Sequence, residues 1–482
     1  MKENEKQSPS ETKKEFDSEM PLLSGLSNTK KLLLLAAMYL SAIGTMVFSG
    51  TDSVLLPKAA EQFGALDYYS VALPLSSIVT IAMMPLSGFL MARNPTIKIK
   101  LFVVEWLITV VGGIVMACAQ NYAMIVLGMM LARMCFPAVY VCGFTIIREL
   151  YDAKQAGIYM GLMNTVMLAS NIIVPTLGGA VVDGFGWRWM YVIIAVSAAL
   201  PAAVAILTHV TYPEYAKGLS TNSPFDAVGL ISLVVTMGGF IPFVALGRSL
   251  VPFGTPFSWV LLATAIVGCI ALALSIKKKG DESILPVPAL KDRNVLCFFL
   301  GNFTNNFAIL SCFLFLPAYM MYAMGGTAVE AGLATSLHSI PGFILGAFVG
   351  GWIGKHQSVK LPVNFGAVVR LAVIGFFAFF LNPTMPIWVP IVVFFIGGFY
   401  TAMAGSLYTA GPQIILSAKR RATGIGIISM GQNLGSATAT CVYGLLMSAY
   451  GIEAGLHYAF MLAFAVAIIN WLVMLPVKKE DD

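Results

Sequence analysis

Charge is scarce in this chain: Asp, Glu, Lys and Arg together make up 11% of its 482 residues, while 58% are apolar. That balance excludes a soluble globule. Histidine occurs only four times. The seven cysteines (Cys118, Cys135, Cys142, Cys269, Cys297, Cys312 and Cys441) lie in or at the edge of apolar runs, with no metal-ligand spacing. Neither a metal centre nor a disulfide framework is expected. A phosphate-binding Gly-Lys-Ser/Thr loop is missing, so the chain is not expected to hydrolyse ATP. Missing too are a His-Glu-x-x-His pair and a nucleophile elbow, and an enzyme or a bound cofactor is not expected. The net charge of +6 belongs to loop bases and carries no expectation of nucleic-acid binding.

What is abundant is long apolar sequence. A spanning helix needs ~20 apolar residues, and candidate spans fall near 31–57, 68–92, 101–119, 122–145, 156–182, 187–208, 227–247, 257–276, 294–323, 328–353, 361–381, 386–411, 422–447 and 457–477. Threading the chain through them with both ends on one side gathers 24 of the 29 Lys and Arg on that side. The opposite side keeps Lys58, Arg188 and Arg248, and Arg133 and Arg370 fall inside spans. Basic loops stay cytoplasmic. The expectation is an all-α polytopic membrane protein of the cell membrane, with fourteen crossings, both termini cytoplasmic and the lipid bilayer as its surroundings. Residues 1–30, rich in Lys, Glu and Ser, read as a disordered cytoplasmic tail rather than a signal peptide. Residues 478–482 read as a second tail.

Two polar breaks divide the membrane part. The first, 209–226, carries Pro213, Gly218 and Pro224; the second, 277–293, is charged and carries Pro286 and Pro288. They set off a six-span bundle (31–208), a linker with two further spans (209–293) and a second six-span bundle (294–477). Transporters are often built from such repeats. A weak echo supports this: Gly88 with Arg93 after the second span, and Gly350 with Lys355 after the tenth.

The stretch from Ser170 to Tyr191, SNIIVPTLGGAVVDGFGWRWMY, resembles the antiporter motif of the major facilitator superfamily. The Gly-Trp-Arg-Trp signature of that family's fourteen-helix drug:proton antiporter branch follows. Pro175, Gly178 and Gly179 match the first, and Gly186, Trp187, Arg188 and Trp189 the second. The resemblance runs from about 31 to 477 and takes in Asp52 in TDSVLLP, Arg133, LPVPALKDRN before the ninth span, and Ala331-Gly332-Leu333 to Pro341. It implies the major facilitator fold, with two six-helix bundles and an inserted pair. Three departures stand out. Ala92 occupies the position of the family's loop Asp, which is thought to latch one conformation; Phe136-Pro137 follow Arg133 in place of Gln and Gly; and Val174 stands where Gly usually precedes Pro175.

Ionisable groups inside a bilayer are costly and mark cavities or partners. Arg133 lies ~11 residues into its helix, ~16 Å deep, and Tyr140 shares its face. This arginine either senses a protonatable or anionic partner, or bonds backbone carbonyls. Asp52, ~9 Å from the outer end of its helix, suits reversible proton binding; the alternative is a solvated interfacial carboxylate. Glu105, only ~5 residues inside the cytoplasmic face, is a weaker proton-coupling candidate, more readily reaching back to the interface. His338 could gate proton transfer or sit neutral between helices. Arg370, without an acidic partner in neighbouring spans, either contacts an anionic or carbonyl-bearing ligand or pairs with backbone carbonyls. Asn302, Asn305 and Asn306 share one helical face, and Gln432 and Asn433 reach the same depth; these amides are cavity candidates or interhelical glue. Arg93, Pro175, Gly178 and Gly179 are gating candidates. Gly342, Gly346, Gly350 and Gly354 form a small-residue seam expected to pack closely against another helix.

These readings converge on a secondary transporter working by alternating access, functional as a monomer, that exports amphipathic organic molecules in exchange for protons. Spans after 293 hold no acidic residue, since Glu330 and Glu453 lie in outer loops, so neutral or anionic substrates are favoured over dications. The alternative is an importer or facilitator of an organic anion or metabolite. A non-transporting membrane sensor is a third reading, weakened because the chain offers no output domain.

Overall fold

The structure, a computed structural model, describes residues 23, 25–151, 153–210, 212–213, 226–246, 251–280, 283, 291–356, 358–416 and 418–478. Most of both expected tails and most of the two linker segments lie outside these residues. The described residues are almost entirely helical and include no strand, as follows from apolar stretches whose backbone N–H and C=O groups must be satisfied within the segment.

The first rod comprises α1 (Asn28–Ser49) and α2 (Asp52–Gln62), interrupted at Gly50 and Thr51. The expected 31–57 span is therefore broken and continues further. Then come α3 (Ala72–Arg93), α4 (Lys98–Ala117), and a fourth rod that opens with α5 (Tyr122–Ala132) and closes with α6 (Phe144–Leu150). Between α5 and α6, Pro137 removes a backbone donor, and Ala138–Gly143 follow as a π-helical turn. Next are α7 (Ala153–Phe185), α8 (Trp187–Leu207), α9 (Ala227–Leu246) and α10 (Pro256–Lys279). The later half holds α11 (Arg293–Leu310), continued through a π turn by α12 (Leu316–Tyr322), then α13 (Ala328–His356), α14 (Lys360–Phe379), α15 (Trp388–Ile415) and α16 (Ala418–Met474). The loop expected near 448–456 is only a break inside α16 at Gly451, with φ +79°. Twelve of the described helical stretches are long and apolar enough to cross a membrane, the stretch ending α16 being 45 residues long.

Helices α1 to α8 pack chiefly on one another, as do α11 to α16. Among the described residues the main crossings between the halves are α7 along α13 and α3 along α16, with α2 also touching α12 and α13. The inserted helices α9 and α10 pair with each other, and α9 rests on both α3 and α16. There Val71, Ile241, Ala245, Ala437 and Cys441 form a small buried cluster. The pair thus sits over one seam. Its own base is tied by Asp226, which caps α9 through Gly229 N–H (2.8 Å) and accepts from Ser275 Oγ (2.9 Å) and Lys279 Nζ (3.1 Å). The outer face of α10, with Trp259, Val267 and Leu274 exposed, presents the apolar surface a bilayer would cover.

Candidate functional site

The chain breaks out of helix at Gly50, the C-cap of α1, whose N–H still bonds Met46 O and where a Cβ would stand 2.6 Å from that same carbonyl and 3.4 Å from Val174 Cγ1 of α7. It re-enters helix at Asp52, which becomes the first residue of α2. An acidic residue in the first turn of a helix lies at the positive end of the helix dipole, which favours negative charge. Arg133 stands at the other discontinuity, the end of α5. Its Nη2 lies 3.4 Å from Asp52 Oδ2 across 81 residues, and its Nε donates to Ser76 Oγ at 3.1 Å. The guanidinium also lies over Phe136 and Phe48, 5.1 and 5.5 Å from their ring centres. The two side chains are 12% and 11% exposed, so the pair is largely withdrawn from solvent but still borders open space.

That space is a cavity of about 280 Å³ between the two halves. The first half supplies Ser49, Asp52, Ser53, Ser77, Arg133, Phe136 and Asn171; the second supplies Phe313, Thr335, Gln432, Asn433, Ser436 and Thr440, with Leu73, Leu310 and Leu314 as apolar wall. Of the residues singled out in the sequence, the structure brings Asp52, Arg133, Gln432 and Asn433 to this cavity. Tyr140 continues an aromatic ladder from Phe136 to Phe144, with ring centres 6.2 and 6.3 Å apart, and its own ring is 42% exposed. Ser76, Asn171 and Thr335 were not anticipated. Hydroxyl residues in membrane helices ordinarily bond their own preceding carbonyls, as Thr45, Thr109 and Ser170 do here and as Ser76 and Thr335 do as well, so sequence gives no signal for the additional role.

Other expectations resolve differently. Glu105 does not reach back to the interface; it is fully buried and outside the cavity lining, accepting from Ser87 Oγ and Cys142 Sγ. His338 is buried between helices, Nδ1 2.6 Å from Phe394 O and Nε2 2.8 Å from Thr401 Oγ1, its ring against Phe394 and Phe313. Asn302 and Asn306 bind each other and the carbonyl of Ile428, a bridge between α11 and α16 rather than a cavity wall. Asn305 turns elsewhere, to a separate small cavity beside Arg370. The glycine seam does not pack as expected: a Cβ on Gly342 or Gly346 would meet nothing within 4 Å. The side chain of Arg93, and Gly350 and Gly354 as packing positions, lie outside the described residues.

One end of the seam is sealed. Pro175 and Gly179 on α7 pack backbone to backbone against Gly332 and Ala328 on α13, and a Cβ on Gly179 would fall 2.5 Å from Ala328 O. Thr176 Oγ1 and Ser336 Oγ are 2.7 Å apart in the same crossing, and Gly178 abuts Thr51. Helix α7 runs unbroken through Pro175, so close packing is the visible role of this motif. Toward the same end, Tyr322 donates to Glu61 at 2.9 Å, and Val329 N–H donates to Asp183 Oδ2 at 3.1 Å. The Gly-Trp-Arg-Trp turn is a clasp beside them. Gly186 takes φ +90°, a conformation that suits glycine alone. Trp187 and Arg188 both donate to Gln62 at the end of α2, and Arg188 also donates to Ala119 O.

Helical halves enclosing a polar cavity, closed at one end by a glycine-lined crossing, define a membrane transporter. The chain belongs to the Major Facilitator Superfamily, whose family model matches residues 38–416 and 298–482. Among its relatives is the rubrofusarin-specific efflux pump aurT of Gibberella zeae, 23% identical over 85% of this chain and 76% of that protein. The multidrug efflux pump SdrM of Staphylococcus aureus is 21% identical over 63% of this chain and 64% of its own length. The multidrug transporter MdtP of Bacillus subtilis is 23% identical over 46% of this chain and 40% of its own. The match thus spans less than two thirds of the last two relatives.

Proposed function

We propose that this transporter exports amphipathic organic molecules in exchange for protons, with Asp52 as the proton-carrying group and Arg133 as its competitor. The observation that carries this is the Asp52–Arg133 pair on the wall of the inter-half cavity. A carboxylate bound to a guanidinium is a poor proton acceptor, and one released from it is a good one. A substrate donor group that binds Asp52 needs the bare carboxylate, and a proton on Asp52 takes that acceptor away, so substrate and proton compete for one group and load in turn. If the two loadings occur with the cavity open to opposite sides, the cycle is an exchange. The cavity wall offers one carboxylate and one guanidinium, so neutral or anionic amphiphiles suit it better than dications. The names of the relatives fit export of this kind.

The same reading assigns fourteen crossings, with residues 31–208 and 294–477 as the moving halves acting within one monomer. It places both termini in the cytoplasm at the cell membrane, and the sealed end outside, where only Lys58, Arg188 and Arg248 break the basic bias. Uptake of labelled amphiphiles into inside-out vesicles tests it. Accumulation should require the proton gradient, vanish with a protonophore, and be inhibited by neutral and anionic amphiphiles more than by dications. Equilibration that ignores the gradient would instead favour the importer or facilitator reading.

A further inference from the structure

Arg370 stands on the later half's second problem: a buried cation with no counter-charge. Its guanidinium is 2% exposed. Nη1 donates to the Tyr400 hydroxyl at 3.2 Å and Nη2 to Ala467 O at 2.8 Å, while the buried Nε–H has no acceptor. Residues 294–477 contain only two carboxylates, Glu330 and Glu453, and among the described residues none makes an ion pair with Arg370. Glu330 is spent on Thr327 at the start of α13. A guanidinium withdrawn from water without a negative partner is among the costliest arrangements a protein can hold.

The residues around it form a second cavity between α11, α14, α15 and α16, of about 10 Å³, the room taken by one atom-sized occupant. Arg370, Tyr400, Tyr408, Asn305 and Asn470 line it. Tyr400 OH accepts from Arg370, and Tyr408 OH accepts from Asn470 Nδ2 at 3.0 Å. Each hydroxyl therefore keeps its own proton to donate. The cavity thus collects up to three donors and one positive charge, with the buried amide of Asn305 also on its wall. Asn305 Oδ1 has no partner as placed. Amide oxygen and nitrogen exchange places by a half-turn, which would aim Nδ2 inward instead.

We propose that this cavity is a binding site for a monatomic anion, chloride in ordinary salt, which supplies the counter-charge of Arg370. Arg370 Nε–H and the Tyr400 and Tyr408 hydroxyls hold it, and Asn305 presents Nδ2 when it is bound. The small volume suits a single atom better than a carboxylate or phosphate group. All five polar residues belong to the later half, so the ion is retained while the halves rock, and it is distinct from anything bound at Asp52 and Arg133. The site does not depend on proton coupling.

The test uses the full chain, purified in detergent in sodium gluconate and titrated with sodium chloride or bromide at constant ionic strength. The expected result is a saturable rise of at least ~2 °C in the unfolding midpoint. Asn305→Asp places a carboxylate in the cavity, so its midpoint in gluconate should already match wild type in chloride, and its halide response should be lost. Arg370→Met should lose the response as well. Midpoints of the wild type that do not distinguish chloride from gluconate would overturn the proposal and leave only water in the cavity. So would an equal halide rise in wild type and Asn305→Asp, the mark of a general salt effect. If Arg370→Met does not fold, the Asn305→Asp comparison still decides.

Discussion

Asp52 and Arg133 should behave energetically as one unit, and a double-mutant cycle measures how strongly. At 3.4 Å, two unit charges attract by about 5 kcal/mol at an effective dielectric of ~20. Withdrawing both from water offsets most of that, and the cavity still screens them, so a net coupling of about 1–2 kcal/mol is expected. Asp52→Asn should cost the most, about 2 kcal/mol, because Arg133 is left with Ser76 and two aromatic rings for partners. Arg133→Gln should cost less, since the position of Asp52 at the start of α2 still favours negative charge. The double variant should cost little more than Asp52→Asn alone. Equilibrium denaturant unfolding of the detergent-purified protein at neutral pH supplies the energies. Repetition at decreasing pH should shrink the coupling, because a protonated Asp52 has no ion pair to lose. Single effects that add to within about 0.5 kcal/mol would show that the two groups do not sense each other and would remove the basis for competition between proton and substrate.

Thr176→Cys with Ser336→Cys, in a background lacking the native cysteines, should cross-link under mild oxidation and stop transport, with reduction restoring it; the hydroxyls they replace are 2.7 Å apart. A cross-link that leaves transport running would mean the α7–α13 crossing never opens. Glu105→Gln should leave compound-driven proton movement intact, since Glu105 is fully buried, outside the cavity lining, and bonded to Ser87 and Cys142; complete loss of coupling in that variant would move the proton site there.

Much of this was legible in the sequence, for reasons of solvent. Apolar runs of membrane length declare themselves, and a charge inside one is rare enough to mark a site, which is how Asp52, Arg133 and Arg370 stand out. Their partners were less legible. That Arg133 meets Asp52 depends on two helix discontinuities, at Gly50 and around Pro137, that hydropathy does not report. The hydroxyls of Ser76 and Thr335 bond carbonyls of their own helices as many others do, and nothing in the sequence says that Ser76 also accepts from Arg133 or that Thr335 borders the cavity. The Gly342–Gly346 stripe shows the limit from the other side. Small residues every four positions fit a packed seam and an open wall equally well, and here a Cβ would meet open space. Gly178 and Gly179, with a weaker pattern, are the ones that touch a neighbour.

The measurement that bears most directly on the central claim is proton release from energised inside-out vesicles, followed with a pH-reporting dye. Neutral or anionic amphiphiles added to wild-type vesicles should trigger release, and Asp52→Asn vesicles holding the same amount of protein should give none. Equal release from Asp52→Asn, or labelled compound crossing wild-type membranes with no proton movement, would contradict the assignment of Asp52 as the coupling group.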